Sequence, residues 1–122
     1  MGRILAASRA STADTVHTVD DREVPLVLDQ CKSGGESLVA VVDPPRGGLH
    51  SSVIRALRAC SLVRRIVYVS CNPKGSLIEN GSALCGPKSK AFKGQPFRPV
   101  RAIPVDLFPH TAHCEMVMVF ER

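Results

Sequence analysis

Two short β-branched runs, each halted at a proline step, constrain this chain more than any other feature. Leu38-Val39-Ala40-Val41-Val42 stops at Asp43-Pro44-Pro45, and Arg65-Ile66-Val67-Tyr68-Val69-Ser70-Cys71 stops at Asn72-Pro73. Continuous apolar runs of this length read as strands buried on both faces, and proline removes the donor with which a ladder would continue. Between them, Ser51 to Cys60 sets Val53, Ile54, Leu57 and Cys60 at helical spacing, with Ser51 as the N-cap. Strand, helix, strand implies two parallel strands joined by a right-handed crossover. The expected fold is α/β, in which ligands bind beyond the carboxyl ends of the parallel strands. Asp43 with Arg46, and Cys71 with Asn72, fall at those ends.

The remaining elements follow from the same periodicities. Val24 to Cys31 reads as a short helix leading to a turn at Lys32-Ser33-Gly34-Gly35, and Ser76 to Leu84 as a second, weakly signalled helix before an exposed loop at Cys85 to Lys90. Phe97 to Leu107 and Glu115 to Glu121 read as strands of an antiparallel hairpin around Phe108-Pro109-His110-Thr111-Ala112-His113. Residues 1–23 are rich in Ser, Thr, Ala and Asp without sustained period, so they are expected to be poorly ordered or divergent, with residues 24–122 as the folded part.

A chain of 122 residues bounds this to one domain or a piece of one. No apolar run approaches the roughly 18 residues of a membrane span, so no membrane association is expected. The five cysteines at 31, 60, 71, 85 and 114 are odd in number and irregularly spaced, which favours a reducing compartment over a disulfide scaffold. Cytosol or nucleus is expected, with the mitochondrion as the alternative suggested by the opening MGRILAASRASTA, which has two arginines and no acid. Charge divides unevenly: residues 1–42 hold four basic and six acidic side chains, residues 43–122 twelve and five. A basic surface of this kind suits phosphate contacts from arginines and lysines, though a solvated surface explains it equally well.

The strings VVDPPRGGL, YVSCNP and VDLFPHTAHCEM together resemble, in order, the three carboxyl-terminal signatures of the S-adenosylmethionine-dependent RNA (uracil-5-)methyltransferases, above all the animal tRNA enzymes. The resemblance covers Leu38 to Arg122. It implies the carboxyl-terminal portion of a Rossmann-like class I methyltransferase sheet, incomplete, with parallel strands and a terminal antiparallel hairpin. It implies S-adenosylmethionine as cofactor and RNA, foremost tRNA, as partner. It assigns Cys71 as nucleophile and Glu115 as base, gives Asp43 a part in placing the cofactor and target base, and makes Arg46, Asn72 and His110 site-shaping residues.

The chemistry explains these residue types. Uracil C5 is a poor carbon nucleophile; thiolate addition at C6 makes an enolate whose C5 can attack a methyl group. C5 then carries both methyl and proton, and a positioned base must remove the proton before the thiolate leaves. Lys74 and Arg46 are the positive charges expected to favour the thiolate of Cys71, and partial burial would suit Glu115 to proton abstraction.

Each residue also has a plainer reading. A cysteine at the end of an apolar strand is more often a small buried hydrophobe, Asp43 before two prolines could be only a strand-ending turn, and Glu115 an exposed strand residue. Cys31 and Cys60 are expected in the core and Cys85 in a loop without a role. His110, His113, Cys114 and Glu115 lack the paired spacing of a zinc site, so no metal is expected. The sequence has no glycine-rich loop between a strand and a helix followed by an acidic residue for the ribose, and Gly34-Gly35 and Gly47-Gly48 are isolated pairs. The expectation is a truncated enzyme that alone binds cofactor weakly and turns over little or not at all. The competing function is a non-catalytic RNA-binding or interaction remnant; DNA cytosine-C5 methylation, whose cysteine follows a proline, fits SCNP less well.

Overall fold

The computed structural model describes residues 3–9, 14–19, 22–31, 37–107 and 109–122, with side chains from Arg22 onward apart from Cys31. The turn expected at Lys32-Ser33-Gly34-Gly35, the Cys31 side chain and Phe108 lie outside the described residues. In chain order the elements are β1 (Arg3–Arg9), β2 (Asp14–Val19), α1 (Val24–Cys31), β3 (Leu38–Asp43), α2 (Ser51–Ala59), β4 (Val63–Ser70), α3 (Ser76–Cys85), β5 (Arg98–Val105) and β6 (Glu115–Glu121). The strands form one mixed sheet in the order β2-β1-β3-β4-β6-β5.

β3 and β4 are parallel, in register from Val39↔Arg65 to Val42↔Tyr68, with α2 as the crossover. β5 and β6 form the expected antiparallel hairpin, and β6 pairs antiparallel with β4. The parallel character expected of the sheet is confined to β3 and β4 among the described strands. Within the segment expected to be poorly ordered or divergent, residues 3–9 and 14–19 pair as antiparallel strands, and the first also pairs along β3. Composition hides this because the cause is tertiary. One edge of β3 is taken by β4, and the N–H and C=O groups on its other edge need partners, which β1 supplies.

The core lies on one side of the sheet. Leu38, Ala40 and Val42 of β3, Ile66 and Tyr68 of β4 and Phe120 of β6 pack with Val24 and Leu28 of α1, Val53, Ile54 and Leu57 of α2, and Leu77 and Leu84 of α3. The alternate residues Val39, Val41, Val67, Val69, Val117 and Val119 are only half-buried. The expectation of strands buried on both faces is thus corrected. An unbroken valine run signals two apolar faces, but among the described residues the helices cover one.

α2 is held at both ends. Its N-cap is His50, one residue before the expected Ser51: the His50 Nδ1 accepts from the Ser52 N–H at 3.2 Å, while the Ser51 hydroxyl accepts from Arg55 at 2.9 Å. At the other end Arg122, one residue past β6, donates to the carbonyls of Leu57 (3.2 Å), Arg58 (2.8 Å) and Cys60, and to those of Val63 and Gln95 (both 2.8 Å). Its guanidinium also stacks 4.2 Å from the Phe97 ring centroid. The last carbonyls of a helix have no partner within it, and a cation there also answers the negative end of the helix dipole. The buried Arg58 donates to the carbonyls of Ala83 (2.8 Å) and Gly94 (3.2 Å), tying α2 to α3 and to the loop beyond it. Gly94 sits at φ +84, and a Cβ there would lie 2.0 Å from the Arg58 carbonyl oxygen, so only glycine fits.

Arg122→Ala should lower the unfolding free energy by about 2–3 kcal/mol, since buried carbonyls lose a charged donor. Urea denaturation measures this, and Arg122→Lys should restore little of it because an ammonium cannot match the guanidinium fork.

Candidate active site

The sheet brings separate stretches of chain to one edge. Asp43 is the last residue of β3, and Cys71 immediately follows β4; parallel pairing sends both to the same side. β6 runs the other way, so its first residue reaches that edge too. The last β4–β6 pair is Ser70↔Met116, and Cys71 and Glu115 stand one step beyond it. Glu115 also pairs with Val105, the last residue of β5. The convergence of the third motif, which topology alone leaves open in the sequence, follows from this antiparallel register. Cys71 and Asp43 are exposed, Glu115 half-buried.

Two loops at this edge are joined by hydrogen bonds. The Arg46 carbonyl accepts from the Asn72 amide at 3.2 Å and from the Ser76 hydroxyl at 2.9 Å. Asn72 folds its own loop as well: its N–H donates to the Ser70 hydroxyl (3.0 Å), and its carbonyl accepts from the N–H groups of Gly75 and Leu77 (both 3.3 Å). The segment carrying Cys71 is therefore latched to the Asp43–Arg46 loop through Asn72. Arg46 contributes through its carbonyl, with its side chain exposed.

Asn80 sits beneath this latch. Its Oδ1 accepts from the Leu49 N–H at 2.8 Å and from the Tyr68 hydroxyl at 2.6 Å, and its amide donates to the Leu49 carbonyl at 3.4 Å. Gly48, at φ +86, lets the loop turn onto Asn80, where a Cβ would meet Oδ1 at 2.6 Å. Asn80, Tyr68 and Ser76 are absent from the residues singled out by sequence. The available signal was an asparagine in the interior of a helical stretch, where its side chain opposes helix unless it has a partner.

On the β5–β6 side, His110 adopts φ 65, a left-handed conformation in which histidine is among the few non-glycine residues enriched, and its side chain is exposed. It belongs to the turn carrying the chain back toward Glu115. The Cys114 thiol donates to the carbonyls of Glu115 (3.2 Å) and Val105 (3.8 Å), so it fastens the turn. Among the described residues no group of three or more His, Cys, Asp or Glu is placed to hold a metal, and no helix is long and apolar enough to cross a membrane. Cys60 is buried, as expected. Cys85 is corrected: it is the last residue of α3, half-buried, and burial pushes its thiol up against the opposing charge of Arg58.

The sequence model of the family described as tRNA (Uracil-5-)-methyltransferase matches residues 31–122. The chain belongs to the tRNA (uracil-5-)-methyltransferase family. It is 52% identical over 99 residues to the human "tRNA (uracil-5-)-methyltransferase homolog A", covering 81% of this chain and 15% of that protein. To the human "tRNA (uracil-5-)-methyltransferase homolog B" it is 43% identical over 122 residues, covering 98% of this chain and 24% of that protein. A relative from Acanthamoeba polyphaga mimivirus, "Putative RNA methyltransferase R405", is 32% identical over 98 residues, 79% of this chain and 23% of its own length. The chain thus spans about a seventh to a quarter of the length of these relatives. In this member of the family, every residue assigned by the resemblance lies at the one sheet edge or in the loops that leave it.

Tyr68, the chain's one tyrosine, reports on the latch. Burial, and then the charge of Cys71, push its pKa from the ordinary 10.0 up to about 12. A raised value means that the folded chain favours the neutral phenol. This contribution to stability is complete below the unfolded value of 10.0 and is lost as pH rises through about 12. Ultraviolet titration of the folded chain should show phenolate forming near 12, and a midpoint near 10 would mean that Tyr68 is not enclosed.

Proposed function

We propose that this chain forms the catalytic edge of an RNA uridine C5-methyltransferase acting on tRNA, with Cys71 as nucleophile and Glu115 as general base. The observation that carries the reading is the β4–β6 register, which puts the two residues one step beyond Ser70↔Met116, at the edge where Asp43 ends β3.

S-adenosylmethionine, when bound, supplies an electrophilic methyl group. The described residues answer part of what it needs: the exposed carboxylate of Asp43 suits its cationic groups. A glycine-rich cradle is not among these 122 residues, so weak cofactor binding by the chain alone is part of this proposal.

The chain's own residues do the rest. The Cys71 thiolate adds to C6 of the uracil, forming a carbon–sulfur bond and moving the ring's electron pair onto O4 as an enolate whose C5 is nucleophilic. After C5 has gained its new substituent, Glu115 takes the C5 proton. The electrons restore the C5–C6 double bond, and the thiolate leaves. The Asn72–Arg46 latch fixes the distance between the cysteine segment and the Asp43 loop, the kind of positioning on which such steps depend. The target base must be unstacked to reach this edge, at about a few kcal/mol, and the excess of basic residues after position 42 would help offset that cost.

A second reading, RNA binding without catalysis, is favoured by the lack of the glycine-rich loop. Hydrogen exchange separates the two because it needs no methyl donor. Addition of Cys71 at C6, deuteration of C5 from solvent, loss of the original proton and elimination would exchange the C5 hydrogen of uridine. In D2O, mass spectrometry of RNA incubated with the chain should find deuterium at uridine C5. Cys71→Ser should abolish the exchange, and Glu115→Gln should slow it by about 10²–10⁴-fold. Exchange unaffected by either substitution would eliminate the catalytic reading.

A further inference from the structure

We propose that the groove between α3 and the β5–β6 hairpin is a second RNA subsite, which receives the nucleobase neighbouring the target uridine on a single strand. The inference rests on the functional reading above for its substrate class.

The groove has a volume of about 350 Å³ and is walled by Pro73, Leu77, Ile78 and Gly81 on one side and by Met118 and Phe120 on the floor. That volume lies within the roughly 300–1,000 Å³ of small-molecule sites. Its walls are almost wholly apolar side chains, yet Ile78 on the rim is 60% exposed. Such an exposed apolar patch marks a surface awaiting an occupant. The groove is continuous with the reacting edge: Pro73 lies two residues after Cys71, and Leu77 donates its N–H to the Asn72 carbonyl at 3.3 Å. A base neighbouring one held at Cys71 therefore has an apolar slot beside it.

Charge selects the occupant. Between residues 73 and 101 the chain carries Lys74, Lys88, Lys90, Lys93, Arg98 and Arg101, all exposed, against Glu79 alone. Lys74 follows Pro73, which lines the slot, and Lys88, Lys90 and Lys93 lie on the loop after Cys85, which lines it too; Arg98 and Arg101 pair with Glu121 and Val119, on the sheet face opposite Phe120. An apolar slot between lysine-bearing loops matches single-stranded nucleic acid, whose bases offer flat apolar faces and whose phosphates line the outside. An apolar peptide would leave the four lysines of the loops flanking α3 unanswered.

The test measures binding of the chain to a short single-stranded RNA with a central uridine, by fluorescence anisotropy. A companion RNA lacks the bases flanking that uridine. Ile78→Asp should weaken the intact RNA by about tenfold, the scale of losing one stacked base, and leave the abasic RNA unchanged. Replacing Lys88, Lys90 and Lys93 by alanine should weaken both RNAs alike and flatten their salt dependence. Should Ile78→Asp not fold, Ser82→Phe, which fills the groove from an exposed position, should give the same base-dependent loss. Equal affinity of the two RNAs for the parent chain would overturn the proposal. So would self-association of the chain abolished by Ile78→Asp, since the groove would then hold a second copy. A base-dependent effect without C5 exchange overturns the catalytic reading alone; exchange without a base-dependent effect overturns this subsite alone.

Discussion

β4 is the strand on which the rest of the structure depends, because it is hydrogen-bonded on both sides to segments distant in sequence. Parallel pairing to β3 fixes the end of β4 beside Asp43, and antiparallel pairing to β6 fixes the same end beside Glu115. A slip of one residue against β6 would turn every side chain of that strand to the other face. Phe120 would leave the core, and Glu115 would no longer face the end of β4 in the same way. The buried Ile66, Tyr68 and Phe120 hold the register through packing, and the exposed Arg65–Glu121 ion pair at 2.6 Å adds little beside them. The position of Cys71 and Glu115 is thus a consequence of core packing at the other residues of the same strands.

The second level of organisation is polar. Asn80 serves both the loop after β3 and the Tyr68 hydroxyl of β4, and Asn72 ties the cysteine segment to the Arg46 carbonyl. Buried polar networks of this kind are costly unless every member is partnered, and here the geometry partners them. The cost of unmaking any bond gives the edge a defined shape.

Much of this was legible in the sequence, for physical reasons. β3, β4, α1 and the β5–β6 hairpin show in the primary pattern because their periodicity is local, and proline marks where β3 and β4 stop. The pairing of β1 along β3 was not legible, since an unsatisfied strand edge leaves no trace in the composition of its partner. The cap of α2 moved from Ser51 to His50 because an imidazole nitrogen can accept from the helix as a hydroxyl does. Valine runs at 38–42 and 65–71 report two apolar faces without saying what covers them. The motifs singled out Cys71, Glu115 and Asp43, and their meeting at one edge needed the direction of β6. Asn80 and Tyr68 were not legible, because a buried amide acquires its role only from the loop packed on it.

The central claim is that the sulfur at 71 bonds to a pyrimidine ring within reach of the carboxylate at 115. The most direct measurement is trapping on RNA containing 5-fluorouracil, with S-adenosylmethionine at concentrations high enough to saturate a weak site; once C5 is methylated, fluorine cannot be removed as a proton and the adduct cannot collapse. The account predicts a protein–RNA complex that survives denaturant, with peptide mass spectrometry placing the base on Cys71. No such complex, or one attached through Cys60, Cys85 or Cys114, would contradict it.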